Sequence, residues 1–348
     1  MLNNETILVF GATGNQGGAV IKTLISESER ENKTITLRIL VRNPDSDTVR
    51  AMQQKGVEVI KGSMENPESL QKALVGVSRV FLNTTHDKYG GESWIVEKER
   101  GEAVIRELIK MKHLKQVVYS TLPSIDGYSE GAGKSAVEEQ MRKANLPITT
   151  VLSPFYFENF INVWPPIRRW LGVFGPLQWG WLPTGKELRM PHGSVDDFGV
   201  VVANILLRPV NDYLNRQVTV VSEDLLLTQV LTEMECALGE PIQWKPMKRN
   251  VFRCLPLPKE AIAGLEFYAD ALDNHSEVEQ GFLISEGIGA ESLESAMKET
   301  REIHPKIQSV SSWTSTNKKK ITKRSLKKTL VSAMMVWARC KSLVVNAR

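Results

Sequence analysis

The chain of 348 residues is long enough for two domains, or for one large α/β domain with an added substrate lobe. Its 42% apolar and 24% charged residues are ordinary for a soluble globular protein, and the sequence shows neither a transmembrane run nor a secretory signal pattern. The net charge of +4 combines ten positive charges in residues 313–348 with a net charge of −6 in residues 1–312. Three scattered cysteines without a CxxC pair argue against a disulfide scaffold or a zinc site, which favours a cytoplasmic location.

The first half of the chain alternates short apolar strands with amphipathic helices. Strands are predicted at 6–10, 35–42, 57–62, 78–85, 116–121 and 148–154. Helices are predicted from residue 15 onward, at 45–54, 67–75 and 93–112, and before Pro147. Strands that alternate with helices at this spacing form right-handed βαβ crossovers. The pattern therefore predicts an α/β fold built on a parallel sheet with helices on both faces.

A glycine-rich turn follows the first strand, in the sequence FGATGNQGG. Its spacing, Gly11-x-x-Gly14-x-x-Gly17, is a close relative of the pattern with which dinucleotide-binding domains receive a pyrophosphate. One glycine makes the tight turn, another lets the backbone approach the phosphates, and a third lets helix and strand pack closely. We predict a dinucleotide site here rather than an ordinary βα turn. The turn also carries small or polar side chains, namely Ala12, Thr13, Asn15 and Gln16.

The end of the second strand predicts which dinucleotide is bound. Sites for NAD usually place Asp or Glu at this point to bind the ribose hydroxyls, whereas this chain reads LVRNP and has Arg42 there. A guanidinium pairs with a 2′-phosphate through two hydrogen bonds and full charge. The sequence therefore favours NADP over NAD, and the alternative for Arg42 is a solvent-exposed charge at a strand end.

The second half of the chain has a different composition. Residues 155–192 are rich in aromatic residues, Pro and Gly, and four of the eight tryptophans lie between Trp164 and Trp181. We expect loops and short hairpins that form the wall of an apolar cavity. Further helices are predicted at 194–209, 228–239, 259–272 and 290–303, and further strands at 217–222 and 242–247.

The segment 313–348 contains ten Lys and Arg residues and no acidic residue, so residues 1–312 carry a net charge of −6. We expect a basic, flexible tail with a short helix near 325–339. Alternatives are a nuclear-import signal, a membrane-surface helix, or direct binding of nucleic acid. The charge mix and periodicity of the tail differ from those of the body, so the functional prediction does not rest on it.

Six motifs in order resemble those of one family: VFGATGNQGGAV, VRNP, GVEVIKG, VVYSTL, GKSAVEE and SPFYFENF. Together they resemble NmrA-like proteins, which are atypical members of the short-chain dehydrogenase/reductase superfamily, over residues 5–310. The resemblance implies a doubly wound Rossmann parallel sheet that binds NADP(H) in residues 1–153, which later strands can join. It also implies a smaller α+β substrate lobe in residues 154–312, with the cofactor in the cleft between them.

The resemblance also implies which residues hold the cofactor. The pyrophosphate would contact Gly11, Thr13, Gly14, Asn15, Gln16 and Gly17, and the 2′-phosphate would contact Arg42. The ribose and nicotinamide would lie near Asn83, Thr84, Thr85 and Lys134, flanked by Pro154, Phe155, Tyr156 and Asn159. One position departs from the family: relatives often have a GD pair after the third strand that contacts adenine, and this chain has Gly62-Ser63.

Standard short-chain dehydrogenases use a Tyr-x-x-x-Lys pair for acid–base catalysis, and no tyrosine of this chain has a lysine four residues later. Lys134 is one candidate for the acid–base residue in place of this pair, because related reductases use a lysine in this region for that purpose. The alternative is that Lys134 only binds the cofactor. Ser120, which ends the fifth strand between Tyr119 and Thr121, is another, since its hydroxyl could orient a carbonyl. His86 is a further proton donor or a surface histidine, and no cluster has metal-ligand spacing.

Two functions remain from the sequence. The first is an NADP-dependent oxidoreductase acting on a bulky, apolar small molecule in specialised (secondary) metabolism. The second is a non-catalytic regulator that senses NADP(H) and binds a protein partner such as a transcription factor, which would add a nuclear location to the cytoplasmic one. The missing Tyr-x-x-x-Lys pair favours the second, and the aromatic wall favours the first.

Overall fold

The structure, a computed structural model, describes residues 5–31, 35–84, 93–122, 129–162, 166–170, 174–179, 189–246, 248–253, 266 and 293–321. Its strands in chain order are β1 (Glu5–Phe10), β2 (Ile35–Val41), β3 (Glu58–Lys61), β4 (Val77–Leu82), β5 (Gln116–Thr121), β6 (Ile148–Leu152), β7 (Phe155–Tyr156), β8 (Ile167–Trp170), β9 (Phe174–Trp179), β10 (Arg189–Gly193), β11 (Gln217–Thr219), β12 (Glu223–Leu226) and β13 (Ile242–Trp244).

The helices in chain order are α1 (Asn15–Glu31), α2 (Asp47–Gln54), α3 (Pro67–Leu74), α4 (Ser93–Leu108), α5 (Ser129–Lys143), α6 (Asn159–Asn162), α7 (Val195–Leu207), α8 (Leu227–Leu238), α9 (Arg249–Phe252) and α10 (Leu293–Ile303). A further helix, α11, spans 310–321. Within these described ranges, no helix is both long and apolar enough to span a membrane. The predicted helix at 259–272 lies outside the described residues except for residue 266.

Seven strands form the central sheet in the order β11-β6-β5-β4-β1-β2-β3. All neighbouring strands in it are parallel, which confirms the predicted doubly wound fold. β4 and β5 are buried along their whole length, as expected of central strands covered by helices on both faces. The strand order reverses between β1 and β4, and such a reversal places a ligand-binding crevice at the carboxyl ends of the strands.

Each face of the sheet has its own core. On one face, apolar residues of α1 and α7 pack against β1 and β2, and on the other, residues of α3, α4 and α5 pack against β4 and β5. Because α7 and β11 come from beyond residue 154, later segments return to the first domain. The Rossmann unit therefore includes Val195–Leu207 and Gln217–Thr219.

The second lobe contains two small sheets, β12-β10-β7 and β13-β9-β8. β8 and β9 form an antiparallel hairpin, which agrees with the short hairpins expected in this aromatic region. Phe157, Phe160, Leu231 and Met234 are buried in the core of the lobe. Helix α8 ends at Gly239, which has a φ of 76°, as a C-terminal glycine cap requires.

The lobe continues past residue 312, where the sequence suggested that a flexible tail begins. In α11, Trp313 and Ile321 are buried in the lobe core, and the Trp313 ring lies 5.4 Å from that of Phe157. Its indole nitrogen donates a hydrogen bond of 3.1 Å to Glu158. Lys318, Lys319 and Lys320 lie exposed on the other side of the helix. The folded body therefore extends to residue 321, and residues 322–348 lie outside the described part of the chain.

Candidate cofactor and active site

The glycine turn between β1 and α1 has the geometry that the sequence predicted. Gly11 has a φ of 67°, and its carbonyl accepts a hydrogen bond of 2.9 Å from the Gly14 amide. A Cβ atom at Gly17 would lie 2.3 Å from the Gly11 carbonyl oxygen, so only glycine allows α1 to approach β1 this closely. Thr13, Gly14 and Asn15 are exposed at the start of α1, and the first amides of a helix, which have no carbonyl partner within it, favour an anion.

A cleft with a cavity volume of about 100 Å³, partly open to solvent, adjoins this turn. It lies at the carboxyl ends of β1, β2 and β3 and is lined by Gly11 and Thr13, by Arg42, and by Ser63, Glu65 and Arg100. The structure thus brings the glycine turn and Arg42 together in what we call the cofactor cleft. Arg42 is exposed and directly follows β2. Sequence reasoning missed Glu65 and Arg100, whose spacing carries no motif.

A second network joins the turn to the second lobe through Gln16. The Gln16 side-chain amide donates a hydrogen bond of 2.8 Å to the Tyr156 hydroxyl, and its oxygen accepts one of 2.9 Å from the Ser120 hydroxyl. Burial raises the pKa of Tyr156, so the phenol stays protonated at neutral pH. Three of the predicted site residues, from α1, β5 and β7, are therefore in direct contact.

Lys134, on α5, lies in a third network at the carboxyl end of β4. Its ammonium nitrogen lies 2.7 Å from the Thr84 carbonyl oxygen, 2.9 Å from a Glu97 carboxylate oxygen and 3.0 Å from the Asn83 side-chain oxygen. The side chain of Lys134 is 12% exposed and that of Glu97 only 2%. Three acceptors thus match the three protons of the ammonium group. Glu97, which sequence reasoning missed, supplies the opposite charge.

Tyr119 completes this network without replacing the missing catalytic tyrosine. Its hydroxyl lies 2.9 Å from the Thr84 hydroxyl, which donates a hydrogen bond to Glu97, and 3.2 Å from the Lys134 carbonyl oxygen. The side chain is fully buried, and burial together with the charge of Glu97 raises its pKa. Tyr119 therefore remains protonated at neutral pH and cannot act as an ionised base.

Asn159, Thr85 and His86 were also predicted to lie at the site. Asn159 begins α6, and among the described contacts no hydrogen bond joins it to the glycine turn or to Lys134. Thr85 and His86 lie outside the described residues. In the ranges that the structure covers, no group of three or more His, Cys, Asp or Glu side chains could hold a metal ion.

Sequence comparisons relate most of the chain to one family. A family model described as the NmrA-like family matches residues 3–313. The NmrA-like family domain-containing oxidoreductase notA of Aspergillus sp. (strain MF297-2) is 27% identical over 268 residues, which cover 70% of this chain and 76% of the relative. The oxidoreductase malD of Malbranchea aurantiaca, which carries the same family description, is 27% identical over 264 residues, covering 70% and 75%.

Solved structures share the fold. NmrA, described as a negative transcriptional regulator, in complex with NADP, superposes with a TM-score of 0.70 at 18% identity, covering 90% of this chain and 95% of that one. The NADPH-dependent quinone oxidoreductase QOR2 of Escherichia coli, complexed with NADPH, has a TM-score of 0.66 at 18% identity, covering 89% and 99%. The overlap includes both the central sheet and the lobe.

Proposed function

This chain belongs to the NmrA-like family, and on that premise we propose that it is an NADP(H)-dependent oxidoreductase acting on a bulky, apolar small molecule. The observation that carries the proposal is the cofactor cleft, in which the glycine turn and Arg42 face one volume. Relatives named as oxidoreductases support catalysis. We propose specialised (secondary) metabolism as the setting, on the family resemblance.

The residues of the cleft fit the chemistry of NADP(H). The start of α1 offers unpaired amides for a pyrophosphate, and Arg42 offers a planar cation for a 2′-phosphate. Bound NADPH would supply the hydride, and the protein side chains would bind the substrate, orient it and give it a proton.

The hydrogen bonds of the site indicate which side chain supplies a proton. All three ammonium protons of Lys134 face protein acceptors, and the hydroxyl proton of Ser120 faces Gln16. Tyr156 accepts a hydrogen bond from Gln16 and also bonds the Ser153 side chain, so a substrate oxygen that takes the place of Ser153 would receive the Tyr156 proton. We therefore propose Tyr156 as the proton donor, Ser120 and Gln16 as the groups that orient it, and Lys134 as a fixed positive charge beside the nicotinamide ribose.

The apolar character of the substrate rests on composition. Phe157 and Phe160 pack inside the lobe core, and Phe155 is half-buried at its edge. Trp164 and Trp181, which the sequence placed in the cavity wall, lie outside the described residues. The aromatic content of 155–181 therefore supports the proposed substrate class.

We expect the purified protein to oxidise NADPH with at least one member of a panel of ketones, enones and quinones. Tyr156→Phe should lower turnover about 100-fold while leaving NADPH affinity unchanged, because only the proton donor is lost. Absorbance at 340 nm measures turnover, and nicotinamide fluorescence measures binding. Tyr213→Phe is the control, since that hydroxyl is held by Arg208, outside the cofactor cleft. Full turnover by Tyr156→Phe would contradict the assigned role.

Arg42→Ala tests the choice of cofactor. Because only NADPH carries the 2′-phosphate, we expect its dissociation constant to rise about 10- to 100-fold, the effect of losing a charge-assisted pair, while NADH binding stays within about twofold. Fluorescence titration with both nucleotides gives the ratio. Arg50→Ala, an exposed arginine on α2, is the control. If Arg42→Ala left the ratio as it is in the wild type, the assignment would be wrong.

The alternative is a non-catalytic NADP(H) sensor that acts on a protein partner. The full engagement of the Lys134 ammonium and the absence of a Tyr-x-x-x-Lys pair from the sequence favour it. The NmrA structure described as a negative transcriptional regulator shares the fold. Tight NADPH binding without turnover on any compound of the panel would support this alternative against the enzyme.

A further inference from the structure

The segment that carries Tyr156 lies between the two cores of the molecule. Tyr156 packs against the core of the central sheet, and its ring lies 6.1 Å from that of Phe198 on α7. The next residue, Phe157, is fully buried in the core of the second lobe. Strand β7, which contains Tyr156, is two residues long and lies at the edge of the sheet β12-β10-β7. The position of the Tyr156 hydroxyl therefore depends on how the neighbouring residues are held.

Glu158 holds this segment from the side of the second lobe. One of its carboxylate oxygens accepts a hydrogen bond of 3.2 Å from the Val195 amide at the start of α7. The other accepts one of 3.1 Å from the indole nitrogen of Trp313 on α11, whose ring also packs 5.4 Å from that of Phe157. Donors from two distant parts of the chain thus fix both carboxylate oxygens, two residues after Tyr156.

Trp313 is itself held in place by the chain that precedes it. The carboxylate of Asp197 accepts a hydrogen bond from the Gln308 amide, and the carboxylate of Glu223 accepts one from the Val310 amide. Trp313 is only 2% exposed. These contacts fix the path of the chain into α11 and therefore the direction in which the indole N–H points.

We propose that Glu158 and Trp313 position the Tyr156 hydroxyl for proton donation, so that helix α11 contributes to catalysis from outside the cofactor cleft. This inference rests on the proposed function, in which Tyr156 gives the proton. A displacement of about 1 Å at a reacting group can cost about 100-fold in rate. Neither Glu158 nor Trp313 lines the cofactor cleft, so their loss should spare NADPH binding. Both are positioning residues, because they act through Tyr156.

The test measures kcat on a compound of the panel and the dissociation constant of NADPH, both with the full-length protein. Trp313→Phe keeps an aromatic ring beside Phe157 but removes the donor to Glu158. We expect kcat to fall about 10-fold, with the NADPH dissociation constant within about twofold of the wild type. Ile321→Val is the control, because it shortens another buried side chain of α11 and leaves the indole in place, so kcat should not change.

A double-mutant cycle with Tyr156→Phe separates positioning from a general loosening of the lobe. Once the phenol is absent, no proton donor remains to be positioned, so adding Trp313→Phe to Tyr156→Phe should lower kcat by less than about twofold. Glu158→Gln, which keeps only one of the two acceptor oxygens, gives a second route to the same cycle. It should lower kcat alone and have little further effect in the Tyr156→Phe background.

The outcomes distinguish this inference from the proposed function. Losses in kcat that multiply in the double variants would overturn the positioning role and leave the proposed function standing. An unchanged kcat in both Trp313→Phe and Glu158→Gln, or a parallel loss of NADPH affinity, would do the same. A wild type that turns over no compound of the panel would overturn the proposed function, and this inference with it.

Discussion

Gly17→Ala is expected to lower the free energy of unfolding by about 3 kcal/mol and to weaken NADPH binding at least about tenfold. The added Cβ would lie 2.3 Å from the Gly11 carbonyl oxygen, 2.5 Å from its carbon and 2.8 Å from the Phe10 carbonyl oxygen. All three are backbone atoms, so no rotamer change can relieve the overlap. Helix α1 must move away from β1, which shifts the amides that we propose bind the pyrophosphate.

The neighbouring glycine provides a matched control. A Cβ at Gly18 would meet the Ala12 carbonyl oxygen at 3.3 Å, a distance that a small shift accommodates. Gly18→Ala should therefore change the stability by less than about 1 kcal/mol, part of which is the gain from replacing glycine within a helix. Urea unfolding followed by circular dichroism compares the two variants. Equal stabilities would show that α1 and β1 are not held at the observed distance.

Lys134→Met is expected to destabilise the protein by about 3 kcal/mol, because it removes the cation that lies 2.9 Å from a carboxylate oxygen of the buried Glu97. Glu97 is 2% exposed, and it also accepts a hydrogen bond from the Thr84 hydroxyl. Removing both charges in Lys134→Met/Glu97→Gln should cost much less than the sum of the single changes. We expect a coupling energy of at least about 2 kcal/mol from the double-mutant cycle.

An exposed ion pair on the same helix gives the comparison for this cycle. Lys143 and Glu139 lie 2.6 Å apart with 72% and 64% of their side chains exposed. Their coupling energy should be much smaller, since solvent screens exposed pairs. A coupling between Lys134 and Glu97 as small as this would mean that Lys134 is not fixed by Glu97. NADPH affinity, measured on the double variant, then reports the cofactor role apart from stability.

Much of the cofactor cleft was predictable from the sequence, because strand ends are easy to locate. Gly11 and Arg42 each follow an apolar strand, and the carboxyl ends of adjacent parallel strands meet at one edge of the sheet. The family resemblance added Lys134 and Tyr156, whose positions depend on loops that no local pattern defines. The family itself is confirmed by the match over residues 3–313.

The positions of Glu97 and Arg100 in the site were not predictable, although the helix on which both lie, α4, was predicted. On α4 their spacing is the same as that of ordinary exposed charges, and their burial arises from neighbouring elements. Gly133 shows the cause for Glu97: a Cβ there would lie 2.9 Å from the Trp94 carbonyl oxygen and 3.1 Å from Glu97, so α5 covers this part of α4. Tertiary packing of this kind has no signature in a single sequence.

Helix α11 escaped prediction for a related reason. Its apolar face consists of a few widely spaced residues, Val310, Trp313 and Ile321, while a run of three lysines dominates its composition. The charge pattern therefore indicated a solvated tail. The buried face becomes visible only when the lobe core, with Phe157 and Glu158, is in place to receive the tryptophan.

The burial of Trp313 in the lobe core limits how far the C-terminus of this protein can be shortened. A chain cut at residue 312 would lose Trp313 and Ile321 from the lobe core and leave Glu158 without its indole donor. Burial already raises the pKa of Glu158, so loss of that donor would favour its neutral form further. Deletions meant to probe the basic segment must begin beyond Ile321, because an earlier cut removes part of the core together with the charge.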